Sequence, residues 1–278
     1  MIANVRHASR CVLRAATALT ASLVFAASQA VATESVFLEE LTWTDVQARL
    51  AAGGDTVLIP VGGTEQNGPH MALGKHNVRV AYLAGQIAKR LGKTLVAPVI
   101  AYVPEGQISP PTAHMRYSGT ISISSKAFEA MLEDSAQSFR QHGFRHVVLI
   151  GDHGGYQNNL ARVASRLNQS WGGKDGVRVL HLKTYYDSAQ EPFSQVLREK
   201  GFGQSEIGQH AGLADTSLSL AISRQLVDTA RLAQAASGGS SVGVDGDPRR
   251  SSAPLGEAGV RLIVDNSVIA IQKWIGKR

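Results

Sequence analysis

Histidines, carboxylates and amides are concentrated in the segments that follow apolar runs of the sequence. The run Thr56–Ile59 leads into the glycine-rich segment PVGGTEQNGPHMALGKHN, and the run His146–Ile150 leads into GDHGG. Imidazole and carboxylate groups suit zinc, manganese or iron, and a hydrolytic site also needs open coordination positions for water. A single histidine in such a loop is as well explained by hydrogen bonds to backbone carbonyls. A joint chemical role is favoured for Glu65, His76 and His153, because each lies in a glycine-rich segment after an apolar run.

The elements that would position these residues are strands that alternate with helices. Apolar, β-branched runs predict strands at 56–59, 95–103, 119–124, 146–150 and 177–184. Helical spacing of apolar residues predicts helices at 44–52 with Thr44 as N-cap, 78–91, 128–142, 158–171, from 209–217 to about 225, and 256–277. A Gly/Ser-rich stretch at 236–242 predicts a surface loop. The alternation predicts an α/β fold, a three-layer αβα sandwich with a mostly parallel sheet, whose ligands collect at the carboxyl ends of the strands.

Residues 1–32 have the pattern of a secretory signal peptide, and 33–278 predict a single domain. A basic start precedes the small, apolar run Ala15–Ala27, and a small-x-small cleavage site follows at 28–30 or 30–32. An uncleaved membrane anchor is the alternative, but the run is shorter than the ~20 residues that span a bilayer. We therefore expect a periplasmic or secreted protein with no membrane association after cleavage.

Charge and cysteine content exclude several classes of protein. Residues 1–32 hold three arginines and no acid, so their removal lowers the net charge from +6 to +3, and no Lys/Arg cluster marks a nucleic-acid surface. The only cysteine, Cys11, also lies in this segment. The remaining chain therefore has no disulfide and no cysteine metal site, and any metal must be held by His, carboxylate or amide groups.

The segment PVGGTEQNGPHMALGKH resembles the signature of the creatininase family of metal-dependent amidohydrolases, in which Glu-Gln-His-Gly-Pro-His follows a strand and an Asp comes later. Other segments resemble the family in the same order along the chain. They are His114 with Gly119-Thr120-Ile121, then 151–155, then His210-Ala211-Gly212 with Asp215-Thr216-Ser217, and finally 243–248. The resemblance covers about residue 40 to the end and implies the creatininase fold.

The family's site holds two divalent ions, and the resemblance implies altered ligands in this chain. The ligands of the first ion fall on Glu65, His76 (in place of a bridging Asp) and His153. Those of the second fall on Asn67 in place of His, and on Leu213 or Gly155 in place of Glu. These side chains are poor ligands or none, so we expect one divalent ion per chain, zinc, with manganese and iron as alternatives. Asp152 or Asp215 could rebuild a second site from another direction.

Three residues are predicted to take part in catalysis. His210 matches the family's proposed proton shuttle, because an imidazole can take a proton from water and return it to a leaving nitrogen. Its alternative role is a helix cap or a packing histidine. Asn67, with Gln66, could donate hydrogen bonds to a carbonyl oxygen as it becomes an oxyanion. Asp215, one methylene shorter than the family's Glu, would orient a neighbour or cap the helix.

The predicted function is a metal-dependent hydrolase that cleaves a C–N bond of a cyclic or compact amide with metal-activated water. One alternative is hydrolysis of a carbon–carbon or lactone bond in a sugar-like ring, and another is redox chemistry at iron on the same ligands. A non-catalytic periplasmic protein that binds a small molecule is the alternative outside enzymes. The expected partner is a small-molecule substrate, and the resemblance implies a homo-oligomer, a hexamer.

Overall fold

Four parallel strands form the centre of the protein, which a computed structural model describes over residues 35–276. The strands are β1 (Thr56–Val61), β2 (Thr94–Val96), β3 (His146–Gly151) and β4 (Arg178–His181), in the order β2-β1-β3-β4. Every residue of β1 is buried. Such continuous apolar burial is typical of parallel strands that are covered on both faces.

Ten α-helices lie around this sheet within the described residues. They are α1 (Trp43–Ala51), α2 (Lys75–Leu91), α3 (Ser125–Gln141), α4 (Gln157–Trp171), α5 (Lys183–Ser188), α6 (Glu191–Glu199), α7 (Gln204–Ile207), α8 (Leu213–Ile222), α9 (Leu232–Gly238) and α10 (Ala253–Gly276). Alternate residues of β1 face two separate hydrophobic cores. Val57 and Ile59 pack with α3 and α4, whereas Leu58 packs with α2, α8 and α10. The predicted three-layer αβα sandwich is therefore confirmed.

The order of the strands reverses between β1 and β3. The chain passes from β1 through α2 to β2 at the edge of the sheet, and then returns to β3 on the other side of β1. In open α/β sheets, such a reversal leaves a crevice at the carboxyl ends of the two strands, where ligands bind. Val61 is the register partner of Gly151, so the segments that follow β1 and β3 leave the sheet side by side.

Several predicted elements differ from the structure. The strand predicted at 95–103 ends at Val96, because Pro98 has no N–H and the ladder with β1 is interrupted until the Ile100 N–H donates to the Pro60 carbonyl. Residues 119–124 are not a strand, and only isolated backbone hydrogen bonds tie them to residues 64 and 103. The loop predicted at 236–242 is instead the end of α9 and a 3₁₀ turn.

Helix ends were also predicted imperfectly. The N-cap of α1 is Thr42, which forms a capping box with Asp45, and not Thr44. Helix α2 begins at Lys75, so His76 lies in its first turn, and α8 ends at Ile222 because Ser223 is extended. No helix among residues 35–276 has both the length and the apolar character needed to cross a bilayer. The predicted signal peptide lies outside the residues that the structure describes.

Candidate metal centre

Glu65 is the centre of a cluster of ionisable side chains in the crevice between β1 and β3. Its Oε2 lies 3.2 Å from His153 Nε2 and 3.3 Å from His114 Nε2. Its Oε1 lies 2.9 Å from His76 Nε2. Glu105 approaches from a third segment, with its Oε2 3.4 Å from His153 Nδ1. One ligand atom from each of Glu65, Glu105, His114 and His153 lies within 4.8 Å of the other three.

The hydroxyl of Tyr156 fixes the two strand exits relative to each other. It lies 2.8 Å from the Val61 carbonyl and 2.6 Å from the Gly62 carbonyl, and it accepts hydrogen bonds from the backbone N–H groups of Asp152 and His153. Burial raises the pKa of the Tyr156 phenol well above its ordinary value, so the hydroxyl keeps its proton and donates a hydrogen bond to a carbonyl. One buried side chain thereby holds the segments that carry Glu65 and His153 together.

Glu105 can reach the cluster because a glycine faces it. Gly63 has φ +147°, and a Cβ at this position would lie 2.6 Å from Glu105 Oε1. Any other residue at this position would strain the backbone and displace the carboxyl group. Ser122 holds the other side of this segment, because its Oγ accepts a hydrogen bond from Glu105 N and donates one to the Gly106 carbonyl.

Buried carboxylate oxygens in the cluster lack hydrogen bonds within the described residues. They are Glu65 Oε2 and both oxygens of Glu105. Glu65 Oε2 and Glu105 Oε2 lie near the His153 imidazole without hydrogen-bond geometry. Burial and the charge of Glu65 raise the pKa of Glu105 to about 9, so Glu105 is protonated at neutral pH. Burial acts in the same direction on Glu65, but His76 and His153 hold the pKa of Glu65 well below its ordinary value. A buried carboxylate without partners is costly unless a proton or a cation compensates it, and a divalent cation would satisfy these oxygens.

The histidines of the cluster are in the form that binds metals. Burial lowers the pKa of His153 to about 3 and also lowers the pKa of His114. Both imidazoles are therefore neutral at pH 7, and a neutral imidazole offers a free nitrogen lone pair. Two carboxylates and two imidazoles are a donor set that suits zinc, manganese or iron. The residues present thus fit a divalent ion.

His76 lies on the other side of Glu65, between two carboxylates. Its Nδ1 is 2.6 Å from Asp152 Oδ2, and Asp152 is held in turn by Arg79 Nε at 2.8 Å and by the Tyr185 hydroxyl at 2.7 Å. When Nδ1–H donates to Asp152, Nε2 is free to bind a cation, which is the arrangement that orients metal-binding histidines. The predicted ligand set and the geometric cluster therefore share Glu65 and His153 and differ in their remaining members.

His210 and Gln66 line a pocket together with His114 and His153. His210 Nε2 is 3.0 Å from the Gln66 carbonyl oxygen, and His210 Nδ1 is 3.8 Å from Glu65 Oε1. Burial, and then the charge of Lys75, lower the pKa of His210 to about 4, so its imidazole is neutral at pH 7. A proton on Nε2 would donate to the carbonyl and leave Nδ1 able to accept a proton beside Glu65. The position therefore suits a general base.

Asn67 and His70 stabilise the loop that follows β1. The side-chain amide of Asn67 is buried, and its Nδ2 donates to the backbone carbonyls of Glu65 and Ala72 at 2.9 and 3.1 Å. His70 Nε2 lies 3.0 Å from Thr216 Oγ1. The oxyanion role predicted for Asn67 stays a prediction, and its amide is oriented for a structural one.

Asp215 belongs to a buried ion-pair network that was not predicted from the sequence. It pairs with Lys75 Nζ, and its Oδ1 accepts a hydrogen bond from Arg79 Nη1 at 2.6 Å. Lys75 and Arg79 lie in the first turns of α2, where cations oppose the helix dipole unless they are paired. That unfavourable placement was the available signal for a partner. Glu105 was also missed, and its position after an irregular segment gave no signal.

Of the cluster, Glu65 and Glu105 are buried, and His114 and His153 line a pocket of about 400 Å³. Its polar walls include Tyr186, Gln190, Gln209 and Asp245. A larger surface groove of about 800 Å³ lies near Arg145 and Val177, which precede β3 and β4, so it is at the opposite end of the strands. Of these two, the smaller one contains residues of the candidate metal centre.

The family profile described as creatininase, creatinine amidohydrolase, matches residues 39–271. The chain belongs to the creatininase family. Creatinine amidohydrolase of Pseudomonas putida is 31% identical over 204 residues, which are 72% of this chain and 76% of that relative. The mycofactocin precursor peptide peptidase of Mycolicibacterium smegmatis is 30% identical over 239 residues, 78% of this chain and 85% of that relative. These two relatives are an amidohydrolase and a peptidase, which supports amide hydrolysis by this creatininase-family protein.

Solved creatininase structures have the same fold. A mutant creatininase covers 87% of this chain and 100% of its own length with a TM-score of 0.73 and 26% identity. Creatininase Mn gives a TM-score of 0.69 at 28% identity over 87% of this chain and 100% of its own. A mutant creatininase of the Zn-Zn type gives 0.68 at 27% identity, over 87% and 99% of the two chains. The family and the fold predicted from the sequence are confirmed.

Proposed function

We propose that the protein is a metal-dependent hydrolase that cleaves the C–N bond of a compact amide at a single divalent ion bound to Glu65. The observation that carries the proposal is the group of ligand atoms from Glu65, Glu105, His114 and His153, which lie within 4.8 Å of one another beside a pocket that His114 and His153 line. Two solved creatininase structures are named for their metals, Mn and Zn-Zn, which supports manganese or zinc as the bound ion. One ion per chain is favoured because this group is compact and shares one carboxylate.

Glu65 and His153 belong to both sets of candidate ligands. His114 is favoured over His76 as their companion, because it approaches Glu65 Oε2 as His153 does, whereas His76 contacts Oε1. Glu105 is included because its ligand atom lies within 4.8 Å of the other three. In this arrangement His76 holds Glu65 in place and is itself held by Asp152.

Residues of the pocket would supply the other groups that amide hydrolysis needs. A bound divalent ion would supply the lowered pKa of water and the polarised carbonyl that amide hydrolysis requires. His210 Nδ1 would accept the proton of the attacking water and then donate it to the leaving nitrogen. Gln66 Oε1 accepts a hydrogen bond from the Gly68 N–H at 2.9 Å, so the Gln66 amide N–H₂ faces His114 Nδ1 at 3.1 Å and keeps a second N–H that can donate to an oxyanion. Asp215 would hold Lys75 and Arg79.

The pocket favours a small, polar substrate. Its volume of about 400 Å³ is near the lower end of small-molecule sites, and its walls offer amide and hydroxyl groups but few apolar side chains. A cyclic amide or the end of a short peptide fits these properties, and creatinine amidohydrolase and a peptidase are among the relatives. The proposal includes export to the periplasm or beyond, which the signal-like pattern of residues 1–32 supports. It also includes assembly into a homo-oligomer such as a hexamer, which the family resemblance supports.

Hydrolysis of a panel of compact amides by the purified protein tests this function. The panel contains creatinine, other five- and six-membered cyclic amides and short peptides, and nuclear magnetic resonance detects the products. We expect turnover of at least one amide after zinc or manganese is added to chelator-treated protein, and loss of turnover in Glu65→Gln. The exposed substitution Glu257→Gln should leave turnover unchanged. A protein that binds metal but hydrolyses no amide would contradict the proposal and favour a binding protein.

A further inference from the structure

Lys75 places a buried ammonium beside Glu65, on the side of the carboxylate that faces away from His114 and His153. Its Nζ is 3.9 Å from Glu65 Oε1, whereas the two imidazoles approach Oε2. The Lys75 side chain is only 1% exposed. A buried ammonium is costly unless carboxylates compensate its charge, so Lys75 requires an anionic partner nearby.

Asp215 provides most of that compensation and is fully engaged. Its Oδ2 pairs with Lys75 Nζ and accepts a hydrogen bond from Ala211 N at 3.0 Å. Its Oδ1 accepts from Arg79 Nη1 at 2.6 Å. Within residues 35–276, the only hydrogen bond of Lys75 Nζ is the one to Asp215. Asp215 is therefore not available to a metal ion while Lys75 is present.

A cation already stands between the carboxylates on this side of the centre. His76 Nε2 lies 2.9 Å from Glu65 Oε1, and an ion held by these two groups would need Asp215 or His210 as a further ligand. It would have to displace the ammonium or lie against it, and like charges a few Å apart repel strongly in a buried site. Among residues 35–276 no Lys or Arg pairs with Glu65 Oε2, and the Glu105 oxygens that lack partners lie on this side.

We propose that the Lys75 ammonium takes the place of a second metal ion beside Glu65 and limits the centre to one divalent ion. This inference rests on the proposed metal-dependent function and deepens it. It requires no proton transfer to or from Lys75. Lys75 is on this account a positioning residue, since it sets the charge and the number of ions around Glu65 and Asp215.

The number of ions bound by Lys75→Met distinguishes this role from a purely structural one. Met keeps the unbranched apolar stem and removes the charge. Calorimetric titration with manganese or zinc and elemental analysis should give one ion per chain for the wild type and two for Lys75→Met. The double variant Lys75→Met/Asp215→Asn should return to one, because Asp215 is the expected ligand of the second ion. The control Lys273→Met, an exposed lysine on α10, should bind one.

Each other outcome has a definite meaning. One ion in folded Lys75→Met would overturn the inference and leave the proposed function intact. No ion in the wild type would overturn the proposed function and this inference with it. Should Lys75→Met not fold, anomalous diffraction from wild-type crystals soaked in excess manganese decides the question. A single peak near Glu65 is expected, and a second peak between Glu65 and Asp215 with Lys75 in place would overturn the inference.

Discussion

Replacement of Glu105 by Gln should stabilise the metal-free protein and weaken its metal binding at the same time. Glu105 is buried, neither of its oxygens has a hydrogen bond within residues 35–276, and burial together with Glu65 raises its pKa to about 9 from an ordinary value of 4.5. In the metal-free folded state the carboxyl keeps a proton that the unfolded chain releases at neutral pH. Stability from this group is therefore complete below about pH 4.5 and is lost as the pH rises towards 9.

The size of the effect follows from the pKa difference. Each unit corresponds to about 1.4 kcal/mol, so at about pH 7.5 the three units above the ordinary pKa cost up to ~4 kcal/mol of the free energy of unfolding. Gln does not pay this cost, but its buried amide lacks partners, which costs about 1–3 kcal/mol. We expect metal-free Glu105→Gln to be more stable than the wild type by ~1–3 kcal/mol at pH 7.5, and to lose this advantage near pH 5.

Urea unfolding in the presence of chelator, at pH 5, 7.5 and 9, measures the stability, and calorimetry with zinc or manganese measures the affinity. Gln lacks the negative charge of a carboxylate ligand, so the affinity should fall by at least about tenfold. Glu257→Gln is the matched control, because Glu257 is exposed, and it should change neither quantity. A stability difference that does not grow with pH, or an unchanged affinity, would refute the assignment of Glu105 to the centre.

Four further substitutions test the geometry around the cluster. Gly63→Ala should lower the metal affinity at least about tenfold and destabilise the protein by ~2 kcal/mol or more, because the added Cβ would meet Glu105 and the backbone has a positive φ. Calorimetry measures the affinity and thermal unfolding the stability, and wild-type values in both would contradict this prediction. Tyr156→Phe should lower the unfolding free energy by ~2–3 kcal/mol, because buried backbone groups at both strand exits lose their hydrogen-bond partner. An unchanged urea midpoint would show that the hydroxyl does not hold the two exits together. His114→Ala should reduce metal affinity more than His76→Ala; the opposite order in calorimetry would restore the ligand set predicted from the sequence.

The sequence was sufficient to place the two strand exits that carry Glu65 and His153. Both follow apolar, β-branched runs that end in glycines, and parallel strands bring such exits to one edge of the sheet. Local pattern also gave the alternation of strands and helices, and therefore the three layers. These predictions succeeded because each depends on short-range periodicity.

The missed features depend on contacts between distant segments. Glu105 enters the cluster only because the chain after β2 is irregular and turns back past Gly63, a path that no local pattern specifies. Lys75 and Arg79 have the sequence of a solvated helix start, yet their partner Asp215 lies about 140 residues later. The unfavourable position of these cations at a helix N-terminus was the one local indication that a buried partner exists.

Metal content is the most direct test of the central claim that Glu65 anchors one catalytic divalent ion. Elemental analysis should be made on wild-type protein and Glu65→Gln, each purified without chelator and then incubated with zinc or manganese and desalted. The account predicts about one ion per chain in the wild type and none in Glu65→Gln, with both proteins folded by circular dichroism. A wild type that retains no ion, or a Glu65→Gln variant that retains it, would contradict the account.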